Sequence, residues 1–171
     1  ADGLACRSME MFEAFGFEHN VAREAYLVNE TAFWRPDADN GGVARADRID
    51  DVEDGLSEKP HAVLNQARVH DYYLELMQRS PRRLVPDYNR ALVNVVLTND
   101  AEYPVTATLD CLEDGKEGTQ ETIRARYVVG CDGARSRVRR ALGYSLKGEA
   151  ARQLWGVMDV LAITDFPDIR L

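Results

Sequence analysis

Cysteine is scarce in this 171-residue chain, with only Cys6, Cys111 and Cys131. An odd number without metal-ligand spacing points neither to a disulfide framework nor to a zinc site, so no metal is expected and a reducing cytoplasm is the expected home. Long apolar runs are missing too. No stretch reaches the roughly 20 residues that a membrane helix needs, and the amino terminus shows no basic region followed by an apolar core, so no targeting signal is read there. Positive charge is in deficit: 21 Lys and Arg stand against 29 Asp and Glu, giving a formal net charge of −8. That balance argues against nucleic acid or an anionic membrane surface as a partner. Internal repeats and low-complexity segments are also lacking. What is present is a hydrophobic content of 45%, enough for one ordinary globular core.

Neither end reads as a natural boundary. The chain opens on "ADGLACRSMEMFEAFG", a loop feeding into a helix with no initiator methionine, and it stops on the strand-like "GVMDVLAITDFPDIRL". Truncation at both ends is the expectation.

Between these ends, periodicity and turn residues set the expected elements. Ala5 to Phe15 reads as a helix with Met9, Phe12 and Phe15 on an apolar stripe, and Gly16 stops it. Tyr26 to Trp34 and Val43 to Ile49 read as strands joined through the turn-rich "RPDADNGG" into a hairpin. The acidic "DDVEDGLSEKP" reads as a loop. Ala62 to Leu64 is a short strand candidate, followed by a helix from Gln66 to Met77 with Val69, Tyr73, Leu76 and Met77 on one face. Three extended runs then follow, Ala91 to Leu97, Pro104 to Leu112 and Thr122 to Val129, as an antiparallel meander. Mixed helices and strands make the class α/β with an antiparallel part.

The stretch from Arg126, "RYVVGCDGARSRVRRALG", reads as strand, tight turn and helix. Tyr127, Val128 and Val129 suit a buried strand, Ser136 suits a helix N-cap, and Gly143 suits the residue past the helix end. Asp132 and the two glycines would then sit at a strand's carboxyl end, where open α/β sheets bind ligands. The alternative is a sharp turn with a solvated basic helix behind it.

Taken in order, "ADGLACRSMEMFEAFGF", "QARVHDYYLELM", "YPVTATLDCLEDG", "ARYVVGCDGARSRVRRALG" and "WGVMDVLAITDFPDIR" resemble the phenol hydroxylase-like branch of the single-component FAD-dependent aromatic hydroxylases. The resemblance covers nearly the whole chain. It implies a fragment of the p-hydroxybenzoate hydroxylase-like FAD-binding fold, with residues 1–25 and 60–150 in the FAD-binding part and residues 26–59 and 151–171 in the substrate-binding part. It also implies FAD and NADPH as cofactors and O2 as co-substrate. A small phenolic aromatic, of the 3-hydroxybenzoate or phenol type, would be hydroxylated ortho to its hydroxyl through a flavin C4a-hydroperoxide. A homodimeric parent protein is a further expectation.

Residue by residue, the resemblance makes Asp2 of the "ADGL" motif the catalytic carboxylate, which accepts a proton or hydrogen bond from a phenol of pKa about 10. The bland alternative is an N-cap for the first helix. Ala1 and Gly3 fall beside the flavin in the same motif, and the adjacent Arg7 either approaches the cofactor or is an ordinary first-turn arginine. Gln66 matches a glutamine that contacts FAD, against a capping role. Asp132 and Gly133 match a DG motif near the flavin pyrophosphate, and Arg135 and Arg137 behind it suit the phosphates of NADPH or plain surface charge. His61 is the substrate candidate, since a benzoate carboxylate calls for a cationic or hydrogen-bonding group; a satisfied core histidine is the alternative.

The chain also departs from the pattern: the G-x-G-x-x-G fingerprint of the FAD domain and the later GD motif are both absent. Two other classes therefore stay open, a non-catalytic module binding an aromatic ligand or partner, and a related flavin reductase or epoxidase.

Overall fold

A computed structural model describes residues 2–149, 151, 153–154, 156–158 and 160–168. The chain divides into two compact units, residues 1–85 with 161–171, and residues 86–160.

In the first unit, helices α1 (Cys6–Ala14), α2 (Glu18–Glu24) and α3 (Gln66–Arg79) pack beside a small sheet of β1 (Gly3–Leu4), β5 (His61–Val63) and β2 (Tyr26–Val28), in the order β1-β5-β2. Both pairings are antiparallel, with Gly3 and Tyr26 each opposite Val63 and Val28 opposite His61. Met9, Phe12, Phe17, Val21, Ala62 and Tyr72 form the buried cluster. The rings interlock there: Phe12 stacks on Phe17 at 4.9 Å between centroids, and Phe17 meets Tyr73 edge-on at 5.1 Å. Such pairs add about 0.5–1.5 kcal/mol each beyond area burial. Met9 and Phe12 thus bear out the predicted stripe, while Phe15 is half exposed.

A second sheet in this unit is the hairpin β3 (Glu30–Pro36) and β4 (Val43–Asp50), whose turn is closed by Asp37 and the positive-φ glycines Gly41 and Gly42. The predicted run from Tyr26 to Trp34 is therefore two strands. It breaks at Asn29, with β2 joining β5 and β3 joining β4.

The second unit holds the meander β6 (Arg90–Leu97), β7 (Val105–Cys111) and β8 (Gln120–Ala125), antiparallel throughout, and the short helix α4 (Arg137–Ala141). One expectation fails here. Tyr127, Val128 and Val129 are not a buried strand: β8 ends at Ala125, and Tyr127 and Val129 are more than four-fifths exposed. The register supplies the reason, because Ala125 lies opposite Val105 and the next partner would be Pro104, which has no N–H to extend the ladder. The DG turn accordingly follows an extended, unpaired segment. Ser136 caps α4 as expected, accepting from the Arg139 N–H at 3.0 Å, and Gly143 takes φ +75 just past the helix.

Candidate functional site

The candidate residues fall into both units. In the first, the β1–β5 pairing and the head of α3 bring three of them together. The Leu64 N–H donates to the Asp2 carbonyl at 2.9 Å, and α3 begins two residues later at Gln66. Asp2, Gly3 and Gln66 are all exposed.

Two bland alternatives fail at this spot. Asp2 does not cap α1, whose N-cap is Ala5 with no side-chain hydrogen bond. Gln66 does not cap α3 either, since the Asn65 side chain does so by accepting from the Ala67 N–H at 2.9 Å. Among the described residues, neither the Asp2 carboxylate nor the Gln66 amide has a side-chain partner. Arg7 is exposed in the first turn of α1 and likewise has no ion pair among the described residues. Ala1 lies outside the described residues.

His61 sits on β5. Ala62 faces the core, so alternation along the strand turns His61 and Val63 to the other face, together with their cross-strand neighbours Gly3, Tyr26 and Val28. His61 is half-buried rather than a core histidine, and its Nδ1 is paired with Asp51 Oδ2. Asp51 also accepts from the Thr31 hydroxyl at 3.2 Å. Neither Thr31 nor Asp51 stood out in the sequence, because nothing local marks one carboxylate in an acidic loop as a histidine's partner. Near the same strands, a groove of about 450 Å³ is lined by Tyr26, Trp34, Arg48 and Phe166, among others. Its charges are already paired: Trp34 Nε1 donates to Asp168 at 2.7 Å, Arg45 Nε donates to the same oxygen at 2.9 Å, and Arg48 pairs with Glu30.

In the second unit, Asp132 is committed to its own helix. Its carboxylate accepts from the Ser136 hydroxyl and the Arg137 N–H, both at 2.5 Å, and from the Val138 N–H at 3.1 Å. The Ser136 hydrogen bond, aided by those backbone amides, holds the carboxyl down at about 2. The arginines behind it turn back onto carbonyls. Arg137 reaches Leu92, Arg139 reaches Ala134, and Arg140 reaches Arg135 and Ser136. Of these four arginines, Arg135 alone has no hydrogen bond from its side chain among the described residues. Gly130 is glycine for packing, since a Cβ there would lie 2.8 Å from Val138. Gly133 takes φ +72 with open space around it.

The sequence family described as FAD binding domain matches residues 1–170. The chain belongs to this family. Over 172 residues it is 58% identical to a 3-hydroxybenzoate 4-monooxygenase of Comamonas testosteroni, covering 99% of this chain and 27% of that protein. It is 39% identical to an FAD-dependent monooxygenase of Aspergillus terreus, covering 99% and 28%. It is 32% identical to a phenol 2-monooxygenase of Aspergillus fumigatus, covering 99% and 27%. The chain thus spans between a quarter and a third of the length of these relatives, and its family is that of the flavin-dependent aromatic monooxygenases.

The exposed residues of the first unit fit an FAD ring system. A Cβ built on Gly3 meets nothing within 4 Å, so a flat ring can lie against that backbone. The Gln66 amide both donates and accepts, as the polar edge of an isoalloxazine does. Among the described residues no group of three or more His, Cys, Asp or Glu could hold a metal ion, and no helix is long and apolar enough to cross a membrane.

Proposed function

We propose that the protein carrying this chain is an NADPH- and FAD-dependent monooxygenase that hydroxylates a phenolic aromatic acid ortho to its hydroxyl. The observation that carries this reading is the exposed Asp2, its carboxylate without a side-chain partner among the described residues and its backbone tied to Leu64 two residues before the exposed Gln66. Identity of 58% to a 3-hydroxybenzoate 4-monooxygenase favours a hydroxybenzoate over a simple phenol.

FAD, when bound and reduced, supplies an electrophilic oxygen atom derived from O2. The residues of this chain supply the rest. Asp2 accepts the phenolic proton or hydrogen bond, which makes the ring a stronger donor of electrons to that oxygen. Gly3 and Gln66 hold the flavin edge, with Ala1 in the same motif as Gly3 and Arg7 adjacent to it. His61 Nε2 meets the ring carboxylate and so fixes which carbon faces the oxygen. Asp132 and Gly133 shape the turn for the dinucleotide, and Arg135 is the arginine best placed for an NADPH phosphate, with Arg137 also serving β6. The segments 1–25 and 60–150 belong to FAD binding and 26–59 and 151–171 to substrate binding under the same proposal. The cytoplasm is its proposed home, consistent with three free cysteines, and a homodimer its proposed assembly.

The test follows NADPH, O2 and product with the complete purified protein and either 3-hydroxybenzoate or phenol. One product molecule per NADPH is expected, with the aromatic acid at least tenfold higher in kcat/KM. Flavin reduction with no oxygenated product from either compound would contradict the proposal.

A further inference from the structure

We infer that Asp51 is a positioning residue for His61, fixing the imidazole so that Nε2 is the nitrogen offered to the carboxylate of an aromatic acid. This rests on the reading of His61 as a substrate contact. Three elements converge on the pair. Asp51 follows β4, its backbone N–H donates to the Asn29 carbonyl at 2.9 Å, and its carboxylate takes the Thr31 hydroxyl from β3 on Oδ1 and His61 Nδ1 from β5 on Oδ2. The Asp51 side chain is 16% exposed and that of His61 37% exposed, so the carboxylate is the more buried member of the pair.

A carboxylate has only acceptors, so the proton between the two groups sits on Nδ1 and the lone pair or second proton on Nε2. Neutral His61 then presents Nε2 as an acceptor. With a second proton it presents Nε2–H as a donor, and Asp51 at Nδ1 balances the charge, which is the state that suits an anionic carboxylate. Thr31 prevents the Asp51 carboxylate from rotating away. A histidine that served only the packing of β5 would not need its ring tautomer set by a carboxylate that is itself held by a third side chain.

The test uses the complete FAD-loaded enzyme and 3-hydroxybenzoate, with His61→Gln, Asp51→Asn and Thr31→Val. Asp51→Asn is expected to raise KM for the aromatic acid about ten- to hundredfold, the effect of losing a hydrogen bond to a charged group, with KM for NADPH unchanged. Nitrogen-15 NMR should place a proton on Nδ1 of His61 in the parent and show that assignment lost in Asp51→Asn, with the ring no longer fixed in one orientation. Thr31→Val, the milder change should Asp51→Asn fail to fold, is expected to move both readouts in the same direction by less. If His61→Gln raises KM while Asp51→Asn and Thr31→Val alter neither KM nor the tautomer, the positioning role is overturned and the substrate contact stands. If His61→Gln leaves KM unchanged, the substrate reading itself fails and the inference falls with it.

Discussion

Asn65 and Gln66 are neighbouring amides with different work to do at the head of α3. Asn65 caps the helix through its side chain, whereas Gln66 is exposed and unengaged among the described residues. Asn65→Ala is therefore expected to cost about 1 kcal/mol of stability, as lost caps do, and to leave FAD affinity of the refolded enzyme nearly intact. Gln66→Ala should leave the unfolding midpoint unchanged and weaken FAD binding several-fold in fluorescence titration. The reverse pattern would return Gln66 to a structural role. At this scale the sequence was legible only in part. Asp2, Gly3 and Gln66 carry no periodic or packing signal because they are exposed, and only a resemblance could single them out. Asp51 and Thr31 were illegible because Asp51 lies 10 positions from His61 and 20 from Thr31, and strand pairing brings the three together.

Helix α2 shows what a short element does to such reading. Seven residues, "EHNVARE", bury only Val21, so no periodic stripe marks them. Contacts with α3 hold the helix instead: Arg68 forks onto Glu24 at 2.7 and 2.9 Å and lies 4.4 Å over the Tyr72 ring. The Arg68 hydrogen bonds hold the Glu24 carboxyl down at about 2 against its ordinary 4.5. A carboxyl depressed in the folded state adds stability that is complete above pH 4.5 and is lost as pH falls toward 2. Glu24→Gln should thus lower the unfolding midpoint at pH 7, with a gap to the parent that closes between pH 4.5 and 2; a gap that is constant across that range would contradict the pairing. Helix α4 gives a second prediction at this scale. Arg137 is tied to the Leu92 carbonyl and Arg135 is not tied to any side-chain partner among the described residues. Arg135→Ala is expected to raise KM for NADPH about tenfold, the effect of one charged hydrogen bond, with stability unchanged, and Arg137→Ala should lower stability as well. Unaltered NADPH kinetics in both variants would make the helix a solvated basic face.

Across the molecule, the α/β class, the meander and the hairpin were readable from alternation and turn chemistry, because each is a local pattern. The end of β8 was not, since it depends on Pro104 standing at the facing position. The division into two compact units also depends on distant contacts, such as Asp168 with Trp34, that no window of sequence contains. What joins these levels is the claim that an exposed carboxylate at the edge of a small sheet activates a phenol. The most direct measurement compares Asp2→Asn with the parent in the complete enzyme, recording oxygenated product, hydrogen peroxide and NADPH consumed together. The substitution keeps the side-chain shape and removes the charge, so FAD binding and fold should survive. Product formation should fall by on the order of 10²–10⁴, the usual contribution of a positioned general base, while NADPH oxidation persists in part and ends in peroxide. Near-normal product per NADPH at an unchanged rate would contradict a catalytic Asp2.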